Sequence, residues 1–261
     1  MTLILHELKR NRIALIIWCY ALAVMLGVCV FIYPEMAEQM DEMSEMFANM
    51  GEFSAAFGMD QLKIGEFMDF FALECGETLG LGGAIFAAIL GGAILSKEEK
   101  EHTSEFLLTH PLSRTGIVTC KLLSVLAQIL ILNLAAVAIT SVAALAIEVE
   151  VHAGKMALLF LSCFLVQLEI AALSFCVSTF LPRGGLGIGL GIALLFYFAN
   201  IVANITEAAE PLKYLTPFAY ADGAYIIANT SLEIKYVIIG VALTVASIGL
   251  SYWRYTKKDI A

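Results

Sequence analysis

Residues 122–147 read LLSVLAQILILNLAAVAITSVAALAI, an apolar run with no charged side chain. About 20 such residues in a helix cross the hydrocarbon of a bilayer, so this run is long enough to span it. Residues 13–33 and 184–206 have the same character, and 78–96, 156–181 and 236–253 complete a set of six candidate spans. Each is expected to be helical, because lipid offers no partner to an unpaired backbone amide and the alternating pattern of a membrane barrel is absent. The expected fold is an all-α integral membrane domain with six transmembrane helices.

The composition agrees. Of 261 residues, 60% are hydrophobic and 15% charged, with a mean hydropathy of +0.86, whereas soluble domains are about half apolar and a quarter charged. Five prolines, no Ser/Gly-rich linker and no internal repeat leave a single domain over 1–261. The six cysteines (Cys19, Cys29, Cys75, Cys120, Cys163, Cys176) show no CxxC spacing and read as small packing residues. A cleaved signal peptide is not expected at the first span, since the run is too long and Phe31-Ile32-Tyr33-Pro34 is no small-residue cleavage site.

An even number of crossings places both termini on one side. If that side is the cytoplasm, eleven Lys and Arg lie inside and four outside, which the positive-inside rule favours. The net charge of −9 then belongs mainly to the outer face, because residues 34–77 hold eleven of the 24 acids. That distribution gives no support to nucleic-acid binding, which needs a basic stripe.

Fragments of catalytic motifs fall short. His6-Glu7-Leu8-Lys9-Arg10 opens like a zinc-protease helix but lacks the second His, so no metal site is expected. The glycines at 80–83 and 184–191 are followed by no Lys-Ser/Thr, so they form no phosphate loop. The four-residue spacings Gly76/Gly80, Gly185/Gly189 and Gly187/Gly191 suit close helix packing instead.

The connection between the second and third spans is more informative. Ser96 and Glu99 have capping-box spacing, acids crowd the first turn, and Pro111 ends the helix near His110. A short amphipathic helix is expected, with Glu98, Glu101 and Glu105 on one face and Phe106, Leu107 and Leu108 near its end. On charge alone this is equally a solvated face.

Residues 98–114, followed by Lys121, resemble the acidic-Thr-Glu-Leu-Leu…Pro-x-Ser-Arg…Lys signature of ABC-2 type transporter permeases, with His102 where many members have Gly. Glu7–Arg12 resembles the interfacial elbow helix of that family, Leu215-Thr216-Pro217-Phe218 its outer segment before the last span, and Tyr255-Thr256-Lys257-Lys258-Asp259-Ile260 its closing tail. The resemblance implies a type V exporter-like permease in the plasma membrane, with both termini inside. A second permease subunit, identical or paralogous, and two ATPase subunits that bind ATP and Mg would complete it; the chain itself would carry no ATPase site. It further implies an elbow over 1–12 and a coupling loop over 97–118, while charge, Met spacing and length give an outer acidic Met-rich segment over 34–77 and a broken, re-entrant-like outer segment over 207–235. The coupling contacts would be Glu98, Glu99, Glu101, His102, Thr103, Glu105, Phe106, Leu107, Pro111 and Arg114.

Glu169 stands as the one ionisable residue inside a span. Its charge costs about 2.5–3.5 kcal/mol at a helix centre, which the apolar residues of 156–181 outweigh at about 0.4 kcal/mol each, so the span still inserts. Glu169 should face protein or water, not lipid. With Gln128, Asn133, Gln167, Asn200 and Asn204 it forms a candidate translocation pathway; interhelical hydrogen bonding for packing alone fits the same residues. Met36, Met40, Met43, Met46 and Met50 recur at helical spacing, a stripe suited to packing, to a substrate gate or to Cu(I). The leading expectation is an exporter permease. The alternative is an ATP-independent secondary transporter or channel with Glu169 as its ion or proton site, although no pair of broken spans in two halves supports it. An intramembrane enzyme lacks a catalytic companion for Glu169.

Overall fold

Helices form wherever the apolar runs require them. The computed structural model describes residues 2–48, 50–62, 65–95, 113–181 and 186–257, and among these there is no strand. The order is α1 (Thr2–Ala48), α2 (Glu52–Ala56), a 3₁₀ turn (Met59–Gln61), α3 (Phe67–Cys75), a π-helical turn (Gly76–Leu81), α4 (Gly82–Ile94), α5 (Arg114–Ala146) and α6 (Ala153–Phe180). It continues with α7 (Leu186–Ile205), 3₁₀ segments Glu207–Tyr214 and Pro217–Ala221, α8 (Gly223–Asn229) and α9 (Ile234–Lys257). Among the described residues, six helices are long and apolar enough to cross a membrane: Leu3–Ala37, Phe67–Ile94, Arg114–Ala146, Ala153–Phe180, Gly187–Ile205 and Ile234–Lys257.

Several boundaries differ from the expected ones. Residues 2–12 form no separate elbow; they run unbroken into the first span, because nothing between Thr2 and Tyr33 interrupts helical hydrogen bonding. At about 1.5 Å per residue, α1 is roughly 70 Å long and continues through Pro34. An interior proline removes one backbone bond. Just before it, the Tyr33 ring lies 5.1 Å from Phe67 and 5.5 Å from Phe70, and its hydroxyl donates to the Gly65 carbonyl at 2.8 Å. The supposed outer segment therefore ends before residue 67, since α3, the π turn and α4 are one continuous rod. Likewise 114–118 belong to α5 and not to a loop; Ser113 caps the helix by accepting from the Gly116 amide at 3.1 Å.

The two most interior spans, α4 and α6, also share one of the widest contacts. Their closeness comes from small residues: a Cβ at Gly91 would overlap the Ala171 carbonyl, and one at Gly83 would overlap the Gln167 side chain. Gly189 of α7 likewise abuts the Ala88 carbonyl, while Gly187 and Gly191 meet nothing. The outward faces of α1, α5, α7 and α9 carry exposed Ile, Leu, Val and Phe, such as Ile13, Ile16, Leu134, Leu145, Leu195 and Phe198. Such a surface suits hydrocarbon.

Opposite the termini, 206–233 folds inward. Phe218, Ala219 and Tyr220 are buried, and the Thr216 hydroxyl donates to the Phe196 carbonyl halfway along α7 at 2.8 Å. Met36 packs against Phe70, and Met50 is exposed; the side chains of Met40, Met43 and Met46 lie outside the described ones.

The glycines make a paired test possible. Gly91→Ala is expected to destabilise the detergent-solubilised chain by about 1–3 kcal/mol through overpacking. Gly187→Ala, which adds helix propensity in open space, should leave the thermal midpoint unchanged or raise it.

Candidate functional site

Of the expected coupling contacts, Glu98, Glu99, Glu101, His102, Thr103, Glu105, Phe106, Leu107 and Pro111 lie outside the described residues. The two ends from which that segment springs are described, and polar contacts tie both down. Ile94 ends α4, where the last carbonyls lack helical partners. Lys121 supplies one: its Nζ donates to the Ile94 carbonyl at 2.6 Å and lies 3.4 Å from Glu7 Oε1. Lys121 is fully buried and Glu7 nearly so. The sequence places Lys121 among the aqueous charges, but α5 starts seven residues before it, two turns inside the bundle. At the other end, Arg114 Nη1 donates to the Thr256 carbonyl at 3.4 Å, and the Thr119 and Tyr252 hydroxyls meet at 2.7 Å. Thus α1, α4, α5 and α9 are joined around the departure points of 96–112.

The six expected pathway residues do not form one group. Asn133 Nδ2 donates to Gln167 Oε1 at 2.6 Å, and Gln167 Nε2 donates to the Leu79 carbonyl at 3.1 Å, linking α5, α6 and the π turn. Gly83, which has no side chain, leaves room for the amide. Gln128 is fully buried; its Nε2 donates to the Ser124 carbonyl at 3.0 Å, and its Oε1 has no partner.

Glu169 stands two residues beyond Gln167, about 200° around the helix, and so faces α9 and the inward fold. The Tyr220 hydroxyl donates to Glu169 Oε2 at 3.0 Å, and Gly240 lies against the same oxygen. Burial first, and the facing carboxylate second, push the Tyr220 phenol well above its usual value, so it remains the donor. The space between Glu169, Tyr214, Tyr220 and Tyr236 is too small for a water molecule.

Asn200 and Asn204 line a different space, a cavity of about 80 Å³ at the end opposite the termini. The Tyr197 hydroxyl donates to Glu77 Oε2 there at 2.5 Å, and Asn204 Nδ2 reaches the Ala56 carbonyl at 3.5 Å. Glu77 escapes the sequence reading, as do Asp69 and Glu74 of the same rod, so Glu169 is not alone among ionisable residues in the spans. The signal lies in 67–75, FMDFFALEC, whose apolar side chains extend the second span backwards through its acids.

If Glu169 works with the inward fold and not with Gln167, a double-mutant cycle separates the two. Tyr220→Phe and Glu169→Gln should couple by about 0.5–3 kcal/mol in unfolding experiments. Tyr220→Phe and Gln167→Leu should be additive; equal coupling in both cycles would overturn the assignment.

Among curated proteins, none matches the chain. The model of the ABC-2 family transporter protein matches residues 1–260. With six membrane-capable helices and a match over nearly its whole length, the chain belongs to the ABC-2 family of transporter proteins, as a multi-pass membrane permease.

Proposed function

We propose that the chain is the membrane-spanning subunit of an ABC exporter in the plasma membrane, with both termini in the cytoplasm. It works beside a second permease subunit, the same chain or a paralogue. Two separate ATPase subunits bind ATP and Mg and perform the hydrolysis. Residues 98–114 are the docking element, with Glu98, Glu99, Glu101, His102, Thr103, Glu105, Phe106, Leu107, Pro111 and Arg114 against the ATPase.

The observation that carries this reading is the polar frame around the departure points of that segment. A docking element transmits nucleotide-driven closure only if its ends are fixed to the helices it must move. Here the Lys121 ammonium holds the last turn of α4 to α1 and α5, and Arg114 holds the start of α5 to the end of α9. A displacement applied between Ile94 and Arg114 therefore reaches four helices together. The pathway residues Gln128, Asn133, Gln167, Glu169, Asn200 and Asn204 then divide by role. Asn133 and Gln167 set helix spacing, Gln128 bonds within α5, Glu169 holds the inward fold closed, and Asn200 and Asn204 face the cavity.

The test is assembly and stimulation. Together, Glu98→Lys and Glu101→Lys are expected to abolish co-purification with the partner ATPase and its stimulation in nanodiscs, while membrane insertion persists. Undiminished stimulation would overturn the docking assignment. Lys121→Met should weaken stimulation at least tenfold while the ATPase still co-purifies.

A further inference from the structure

The cavity beside Glu77 has a chemistry that the permease reading leaves unspecified. Its polar lining is dominated by acceptors. Among the described residues, Glu77 and Asp222 are the charged lining groups, and none of the lining ones is Lys, Arg or His. Asp222 is partly committed, since its Oδ1 accepts from the Tyr225 amide at 3.2 Å. Glu77 has one oxygen on the Tyr197 hydroxyl, which leaves the other free to accept. Asn200 Oδ1 is a buried carbonyl oxygen with no partner. An anion here would meet two carboxylates, with no cation among the described lining residues, whereas a cation would find acceptors waiting.

The walls narrow the class of cation. The Tyr197 and Phe218 rings pack edge to face at 5.5 Å, and both border the cavity, as does Phe57. Aromatic rings attract organic ammonium groups through their faces. A bare metal ion would want several hard oxygen ligands, and among the described residues no group of three His, Cys, Asp or Glu could hold one. A volume of about 80 Å³ accommodates a methylated ammonium group or a few waters.

We propose that this cavity is a binding site for the protonated amine of a small organic ammonium ligand, with Glu77 as its counter-ion and Asn200 as an additional acceptor. The inference deepens the permease reading by assigning a substrate class to the far end of the bundle, and it rests on that reading only for its meaning in transport. Glu77 stands on the π turn, where the wider backbone brings its carboxylate to face α7. Gly76, beside it, keeps the space open: a Cβ added there would meet no atom within 4 Å.

That glycine permits a test in which the fold is spared. The purified chain in nanodiscs is titrated with dimethylammonium chloride, and binding is followed by ligand-observed NMR and by the thermal midpoint. Sodium and potassium chloride at equal ionic strength, and sodium acetate, serve as controls. Saturable binding of dimethylammonium alone is expected, weakened at least tenfold by Glu77→Gln. Gly76→Val should abolish it while leaving the ligand-free midpoint within a few degrees. Undiminished binding in Gly76→Val, or equal shifts from sodium or potassium, would overturn the site. Should Glu77→Gln fail to fold, Gly76→Val decides alone. No ATPase enters the assay, so a chain that binds dimethylammonium but recruits no ATPase refutes the coupling reading and spares the site. A chain that recruits the ATPase but binds no amine does the reverse.

Discussion

An amide group inside a hydrocarbon slab must find its partners within the protein, and the position of Gln167 turns that constraint into architecture. Its two ends are spent on Asn133 of α5 and on the Leu79 carbonyl of the π turn, so three spans meet at one side chain. The contact needs a neighbour with no side chain, and Gly83, just beyond the π turn, supplies it. Lipid supplies little hydrophobic force between helices, so close backbone approach and polar contacts decide where they sit. Gly91 against Ala171 extends the same close approach toward the termini.

The distribution of burial follows. Around α4 and α6 the small residues Ala84, Ala87, Ala88, Ala171 and Ala172 are fully or almost fully buried. The apolar core then divides into clusters: one near the termini around Phe86, Ile117 and Phe175, one at the far end around Phe71, Leu79 and Phe160, and one beneath the inward fold around Tyr220 and Tyr236. Removing one partner of a buried ion pair leaves an uncompensated charge and costs about 3–5 kcal/mol. The contact between Lys121 and Glu7 is therefore strongly constraining even where its net contribution to stability is small.

The centres of the spans were legible because apolar runs of bilayer length leave few alternatives. Their ends were not, because a hydropathy average over 67–77 registers Asp69, Glu74 and Glu77 as aqueous, while the fold gives each a place within the bundle. Asp69 is buried, Glu74 accepts from Cys29 Sγ at 3.3 Å, and Glu77 accepts from Tyr197. Lys121 was misread for the same reason, since its partners Glu7 and Ile94 are distant in sequence. Glu169 could be recognised as buried, but its partner could not, because Tyr220 lies 51 residues away on an irregular segment with no periodicity to place it. What the sequence grouped by polarity, the helix separated by angle: Gln167 and Glu169 are close in the chain and on opposite faces of α6.

The rod Phe67–Ile94 gives these separate features a common mechanical basis. One of its ends carries the Ile94 carbonyl held by Lys121, and the π turn within it presents Glu77 to the cavity, 17 residues and about 25 Å away at helical rise. Closely packed interiors transmit displacement instead of absorbing it, and this rod is also the span whose hydropathic core is most buried. On the proposed reading, force entering beside Ile94 travels along a single helix to the carboxylate that holds the ligand. The π turn touches α6 through the Leu79 carbonyl and borders the cavity through Gly76, Glu77 and Gly80. A wider turn with a side chain inserted from a neighbour is a defined place for a helix to change direction. Lever and binding group would then occupy one continuous segment, with Gln167 held against the π turn between them.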